Sequence, residues 1–384
     1  MSYNNEELQY LSTWLQDAVA LARKIKEYSE RSNGIAIFTI ASTVKANENR
    51  RPYLTPLREL SHGFIGGSLV FSQTQAILLS KHIDGLVDWI LVDSEKKIPI
   101  SFGSDEEVFT HFNLSIPEHS KASRMPLEMG NLSAACAMHV TKSDLHEYKP
   151  NDMTVDAVWH ALAMQLGILS GKKVAIIGAG NIGFKLALKL VESGCTVDIV
   201  RRDQARGTLM ADLINTIKPK STIAKAHYNL DALQASVFAD AIIGCSNAMP
   251  VITWEMMQAM KPDGLVIDVG KGTIFNDALI KGVQGNIKII RADVTSGIDG
   301  VVATIRRTKS LLRNEMGRRM VGGDMYIVSG GAMGLDGDVI VDNYSAPTYV
   351  IGVANGMGDI KQTLNDSDRG HIEEVKKILN QAKT

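Results

Sequence analysis

Cysteine is scarce in this 384-residue chain: Cys136, Cys195 and Cys245 are the three present, and they are widely spaced. An odd, scattered set argues against a disulfide framework, and no pair has metal-ligand spacing. The nine histidines are equally dispersed, with no His-x-x-x-His pair, so no metal is expected. Net charge is nearly absent too. A formal value of −1 excludes the global field of a nucleic-acid or membrane-surface binder. No apolar run reaches the roughly 18–20 residues that a membrane span needs. The opening Met1-Ser2-Tyr3-Asn4-Asn5-Glu6-Glu7 lacks the basic-then-apolar pattern of a signal peptide. What is present is 45% hydrophobic content, enough for two buried cores. The expectation is a cytoplasmic homo-oligomer acting on a small-molecule substrate, without nucleic-acid or membrane partners.

The most informative residues are Gly178-Ala179-Gly180-Asn181-Ile182-Gly183. They follow the apolar run Val174–Ile177 and open an amphipathic segment, where a buried parallel strand turns into a helix. In this G-x-G-x-x-G pattern Gly178 permits the tight turn and Gly180 lets a pyrophosphate approach the backbone. Gly183 lets the helix pack closely on the strand, and the helix N-terminus favours the phosphate charge. Ala187, Leu190, Gly194 and Val197 continue the pattern at helix-core, turn and second-strand positions. An acid usually ends the second strand and binds the ribose of NAD. Arg201 and Arg202 stand there instead, and two guanidiniums suit a 2′-phosphate, so the cofactor expected is NADP. A basic turn in solvent is the competing reading of that pair.

Alternating strands and helices predict an α/β chain of two domains. An N-terminal substrate-binding and catalytic α/β domain over 1–155 holds strands at 35–40 and 89–92, a helix from about Tyr53, a strand beginning near Phe64 and a helix near 72–86. Residues 98–150 read as loops with one short element around Ala134–Val140. A helix over 154–169 leads into a Rossmann-type, doubly wound parallel sheet over 165–300. Its strands are expected at 173–178, 195–200, 222–227, 240–245, 264–269 and 287–291. Residues 301–384 read as a loop-rich segment, with a helix near 302–316 and closing helices at 347–364 and 369–382 that return to the N-terminal domain.

These segments, in order, resemble the methylenetetrahydrofolate dehydrogenase/cyclohydrolase family and, more distantly, the shikimate dehydrogenases. Val87-Asp88-Trp89-Ile90-Leu91-Val92 is similar to that family's V-D-G-I-L-V strand. Ala239–Ile243 and Val266–Gly270 are similar to its A-D-h-h-h (h, hydrophobic) and V-I-D-V-G segments, and Ser329–Gly334 to its P-G-G-V-G-P loop. The resemblance implies two domains around a cleft and hydride chemistry at a C–N or C=N bond. The departures are equally specific. Tyr53 stands at the tyrosine of the family's Y-x-x-x-K pair, but Leu57 replaces the lysine, and Asp93–Lys97 replaces its Q-L-P-L-P loop.

Hydride transfer needs positioned reactants and a group that manages the proton. Asp93 and Lys96 follow a strand end directly, where ligands lie in open α/β sheets, and Tyr53 occupies the family's tyrosine position. These three are the catalytic candidates, with Lys45, Lys121 and Asp156 behind them. Asn247 and Gly270-Lys271 follow the fourth and fifth nucleotide-domain strands and are candidate contacts for the nicotinamide side. Met249, Met256, Met257 and Met260 read as core. With the usual lysine absent, a non-catalytic NADP(H)-sensing protein and a cofactor-recycling enzyme without net redox stay open.

Overall fold

A computed structural model describes residues 5–43, 51–95, 98, 111–112, 132–247 and 249–381. Lys96, like Lys45 and Lys121, lies outside them. The described chain divides into two compact units, Met1–Val301 and Val302–Thr384.

The first unit holds two sheets. Strands β1 (Ile35–Ser42), β2 (Tyr53–Leu60), β3 (Gly63–Val70), β4 (Trp89–Asp93) and β5 (Asp144–Tyr148) form one in the order β2-β3-β1-β4-β5. All its pairings are parallel except β2 with β3. Helix Asn5–Arg31 packs its Leu11, Trp14, Leu15, Ala18, Ala22 and Ile25 side against Phe38, Ile40 and Val70 of this sheet.

The helix expected from Tyr53 is strand β2. Its Pro56 lies at a register shift between Thr55 and Arg58 on the sheet edge, the place where a strand tolerates a missing N–H. In a strand, residues 53 and 57 stand about 13 Å apart rather than one helical turn, so the folate family's Tyr–Lys geometry has no counterpart here. Strand β5 and the short helix Leu132–Ala137 lie within the stretch read mostly as loop.

The second sheet has β6 (Lys173–Ile177), β7 (Thr196–Val200), β8 (Ala226–Asn229), β9 (Ala241–Gly244), β10 (Leu265–Asp268) and β11 (Lys288–Arg291). Its order is β11-β10-β9-β6-β7-β8 and every pairing is parallel. Numbered from β6 this is 3-2-1-4-5-6, the Rossmann order, with the switch point between β6 and β9. Val174, Ile176, Val197, Ile199, Ile243 and Ile267 are buried on one face, and Ala175, Ile177, Ile242 and Val266 on the other. The linking helix Pro150–Leu166 starts four residues before its expected position because Pro150 occupies its first turn with φ preset. Met256, Met257 and Met260 are core as expected, whereas Met249 is exposed.

Residues 302–384 were expected to be loops and returning helices. By themselves they hold a four-stranded sheet, β12 (Gly317–Gly322), β13 (Met325–Ser329), β14 (Val339–Val341) and β15 (Val350–Val353), in that order. Helix Asp366–Gln381 seats Val375 and Leu379 on Met325, Ile327, Val339 and Val341. Strand β15 falls in the expected helix 347–364. The expected helix near 302–316 begins earlier, as Thr295–Ser310. Glycines that punctuate this stretch every few residues interrupt hydrophobic periodicity, and strands of three to six residues are too short to restore it.

Candidate functional site

Strand β6 ends at Ile177 and the glycine loop begins. Gly178 has φ +93°, and a Cβ there would stand 2.7 Å from the Ser246 amide beyond β9, so the two sides of the switch point meet over it. A Cβ on Gly183 would come within 3.1 Å of the Gly178 carbonyl and 3.3 Å of Ile176, which is the close helix–strand approach that the sequence predicts. Gly180 is different: nothing of the protein lies within 4 Å of its missing Cβ. It is also the N-cap of helix Asn181–Glu192 and supplies no side-chain cap. The first-turn amides, those of Asn181 and Ile182 among them, are left to a ligand or water, and the helix dipole adds to their pull on an anion.

At the end of β7 the Arg201 guanidinium donates through Nη1 to the Ala179 carbonyl inside the loop, while its buried Nε has no hydrogen-bond partner. The Tyr228 hydroxyl donates to the Arg201 carbonyl at 3.1 Å. Arg202 is exposed. The next acid in the sequence, Asp203, is already used: it caps helix Gln204–Ile217 by accepting from the Arg206 amide at 3.1 Å. Asn247 is exposed past β9. Past β10, the Gly270 amide donates to the Gly244 carbonyl at 3.0 Å, and Asp268 accepts from the Gly272 amide at 2.7 Å and the Thr273 hydroxyl at 2.8 Å. This clamp holds exposed Lys271 at φ +62°, a conformation that L residues rarely adopt outside built turns. Gly178, Gly180, Asn181, Ile182, Gly183, Arg201, Arg202, Asn247 and Gly270 thus stand at the carboxyl ends of β6, β7, β9 and β10, in the turns that follow them or in the first turn of helix Asn181–Glu192.

The catalytic candidates do not assemble in the same way. Asp93 is 1% exposed, and its carboxylate accepts from the Ser42 amide (3.1 Å), the Ser42 hydroxyl (2.8 Å) and the Glu95 amide (2.8 Å). A carboxylate so enclosed ties β1 to β4 and cannot touch a substrate. Tyr53 is 47% exposed, with its hydroxyl pKa raised by the burial it has. It pairs with Leu69, which faces Ala41, and Ile40 faces Val92. Tyr53 and Asp93 therefore share one row of the sheet, three strand spacings or about 14 Å apart, too far to exchange a proton directly. Asp156 pairs with Lys189.

Sequence reasoning missed the cluster beside this row. The Asn151 amide donates to Glu95 Oε2 at 3.1 Å, and Asn151 Nδ2 donates to Asn181 Oδ1 at 3.1 Å. Lys185 pairs with Asp152 and lies 3.9 Å from Glu95. Through these bonds the β4 turn reaches the first turns of the nucleotide helix. The clustering depends on chain crossings that no local spacing encodes. Burial, with Asp93 and Glu95 alongside, pushes the Tyr148 hydroxyl up. Burial likewise pushes the Cys245 thiol, past β9, to about 12, so it is no nucleophile. Among the described residues no helix is long and apolar enough to cross a membrane and no group of acidic, His or Cys side chains could hold a metal. Hollows of about 170 and 290 Å³ lie by Met257, Lys261 and Ile287, and by Leu15, His82 and Phe112, away from the glycine loop.

Residues 138–299 match the NAD-binding domain of the D-isomer specific 2-hydroxyacid dehydrogenases. A glyoxylate/hydroxypyruvate reductase of Arabidopsis thaliana is 28% identical over 131 residues, which are 32% of this chain. The chain spans 36% of that relative's length. Among solved structures, phosphoglycerate oxidoreductase from Vibrio cholerae covers 71% of this chain and 99% of its own at 13% identity, with a TM-score of 0.31. Glutamyl-tRNA reductase from Methanopyrus kandleri covers 42% and 39% at 19% identity, with a TM-score of 0.32. What the family match reaches is the 2-hydroxyacid dehydrogenase domain, not the folate enzymes that the sequence resembles segment by segment. Within that match, residues 173–291 form a Rossmann-type domain for a nicotinamide dinucleotide, similar to that of the D-isomer specific 2-hydroxyacid dehydrogenases.

Proposed function

We propose that this chain is an NADP-dependent reductase that delivers hydride to the carbonyl of a small 2-oxo acid, or runs the reverse oxidation. The observation that carries the reading is the family match over 138–299 together with arginine, not acid, at the end of β7. Bound nicotinamide would supply the hydride. The chain's part is to hold and orient. Gly180 and the amides of Asn181 and Ile182 receive the pyrophosphate, and Arg201 and Arg202 receive the 2′-phosphate. The unpartnered Nε of Arg201 and the diversion of Asp203 to a helix cap both support this choice over NAD. Lys271, held by its turn at the end of β10, stands past the strand end on the nicotinamide side of the site. Asp93 is assigned to architecture.

Binding and turnover test this directly. NADPH should bind more tightly than NADH and be oxidised with glyoxylate, hydroxypyruvate or pyruvate. Arg201→Asp with Arg202→Ala should weaken NADPH by about 10–150-fold, the equivalent of roughly 1.5–3 kcal/mol of charge-assisted bonding. NADH binding should hold or improve, because an acid at 201 can accept from its ribose 2′-hydroxyl. Arg202→Ala alone, at an exposed position, should move the same way without disturbing the loop. Equal affinity of the unaltered protein for both cofactors would refute the NADP assignment. Hydride transfer at a C–N bond is the second reading. It is favoured by the collinear segments at 87–92, 239–243 and 266–270, and turnover of a cyclic imine or methylene-bridged pterin without 2-oxo-acid turnover would select it.

A further inference from the structure

Helix Pro150–Leu166 begins without a cap of its own. Lys149 at its N-cap makes no side-chain bond and Pro150 has no N–H, so the Asn151 amide is the first that the helix must satisfy. An acceptor from another element takes it. Glu95, in the turn after β4 and with its side chain 14% exposed, accepts that amide through Oε2 at 3.1 Å. Lys185 braces the arrangement, paired with Asp152 and 3.9 Å from Oε1 of Glu95.

Asn151 is thus fixed through its backbone, and its side chain is turned to the nucleotide helix. Its Nδ2 donates to Oδ1 of Asn181 at 3.1 Å. Asn181 is the first residue of helix Asn181–Glu192, directly after Gly180, whose surroundings the protein leaves empty. A carboxamide has one acceptor edge and one donor edge. The acceptor edge of Asn181 is spent on Asn151, while its Nδ2, with two N–H, has no hydrogen-bond partner among the described residues. Without the Asn151 bond, this exposed carboxamide could turn over and offer its oxygen to an anion as readily as its N–H.

We propose that Asn151 is a positioning residue for the dinucleotide: held by Glu95, it keeps the Asn181 carboxamide turned so that N–H groups, not oxygen, are left for the pyrophosphate. The inference rests on the glycine loop being the pyrophosphate site. It adds a donor to the loop amides and makes that donor depend on the turn after β4, which belongs to the other sheet of the same unit.

A double-mutant cycle tests it, by calorimetric titration with whichever of NADPH and NADH the unaltered chain binds more tightly. Asn181→Ala should raise Kd about tenfold or more, the effect of losing a bond to a charged group. Asn151→Ala should raise it about 3–10-fold by freeing the carboxamide. Its backbone amide still serves Glu95, so the thermal midpoint should move by no more than about 2 °C. In the Asn181→Ala background, Asn151→Ala should have no further effect. Asn151→Asp separates positioning from mere support. An acid accepts, so the Asn181 carboxamide turns over to donate to it and the bond between the helices survives, but oxygen is then left for the ligand. The midpoint should hold while Kd rises at least as far as with Asn151→Ala, and by less in the Asn181→Ala background. A Kd unmoved by either alanine, losses that simply add, or an Asn151→Asp chain with the parent Kd overturns the assignment and leaves the nucleotide site standing. An unaltered chain that binds neither dinucleotide overturns the site and this inference with it.

Discussion

Gly180 and Gly183, three positions apart in one loop, answer to different neighbours. Gly183 is small because Ile176 and the Gly178 carbonyl are already there, whereas Gly180 is small although the protein leaves its surroundings empty. A Val at 180 meets no protein atom and should therefore cost, in urea, only the roughly 0.5–2 kcal/mol of an apolar residue at a helix N-cap. It should nonetheless weaken NADPH at least tenfold. A Val at 183 should cost both stability and binding. Calorimetric titration beside urea unfolding separates the two, and a Gly180→Val protein with unchanged affinity would remove the pyrophosphate from this loop. Asp93 shows the opposite error at the same scale. Sequence alone makes it a strand-end acid facing a ligand, but three donors from β1 and the following turn enclose it.

Among elements, β6, β9 and β10 are joined at their amino ends by one carboxylate. Asp240, just before β9, accepts from the Lys173 amide and the Lys261 ammonium, both at 2.8 Å, with Lys172 at 3.5 Å. Burial opposes its ionisation, yet these donors and charges win and hold its pKa below the usual aspartate value. A carboxyl depressed in the folded state stabilises fully above its unfolded value, about 3.9, and that contribution fades as pH falls through the lower folded one. Asp240→Asn should thus destabilise by roughly 1–3 kcal/mol at pH 7. Urea unfolding should show the gap to the parent constant down to about pH 5 and closing below pH 4. A gap that widened in acid would contradict the assigned charge state. The elements that sequence named correctly are the long or fully buried ones, such as β4, β6 and helix Asn181–Glu192. Strand β2 escaped because Pro56 reads as a helix start, and because exposure along this edge strand, irregular about the register shift, hides the two-residue period.

For the whole molecule, cofactor binding and stability are linked. NADPH at 100 times its Kd should stabilise the unit Met1–Val301 by about 2.7 kcal/mol if only its folded form binds. Hydrogen exchange should slow in 178–184 and 200–203, and helix Asp366–Gln381, anchored on its own sheet by Val375 and Leu379, should keep its rate. Protection confined to 302–384 would place the cofactor elsewhere.

The sequence by itself determined the Rossmann sheet and its glycine loop, because buried parallel strands and the G-x-G-x-x-G turn write their demands into consecutive residues. Arg201 and Arg202 were legible for the same reason. Tertiary structure alone decided that Tyr53 and Asp93 stand three strands apart, that Asn151, Glu95 and Lys185 converge on the nucleotide helix, and that 302–384 builds its own sheet. Each of those outcomes rests on which strands become neighbours, a choice made by burial over the whole chain and not by any local period.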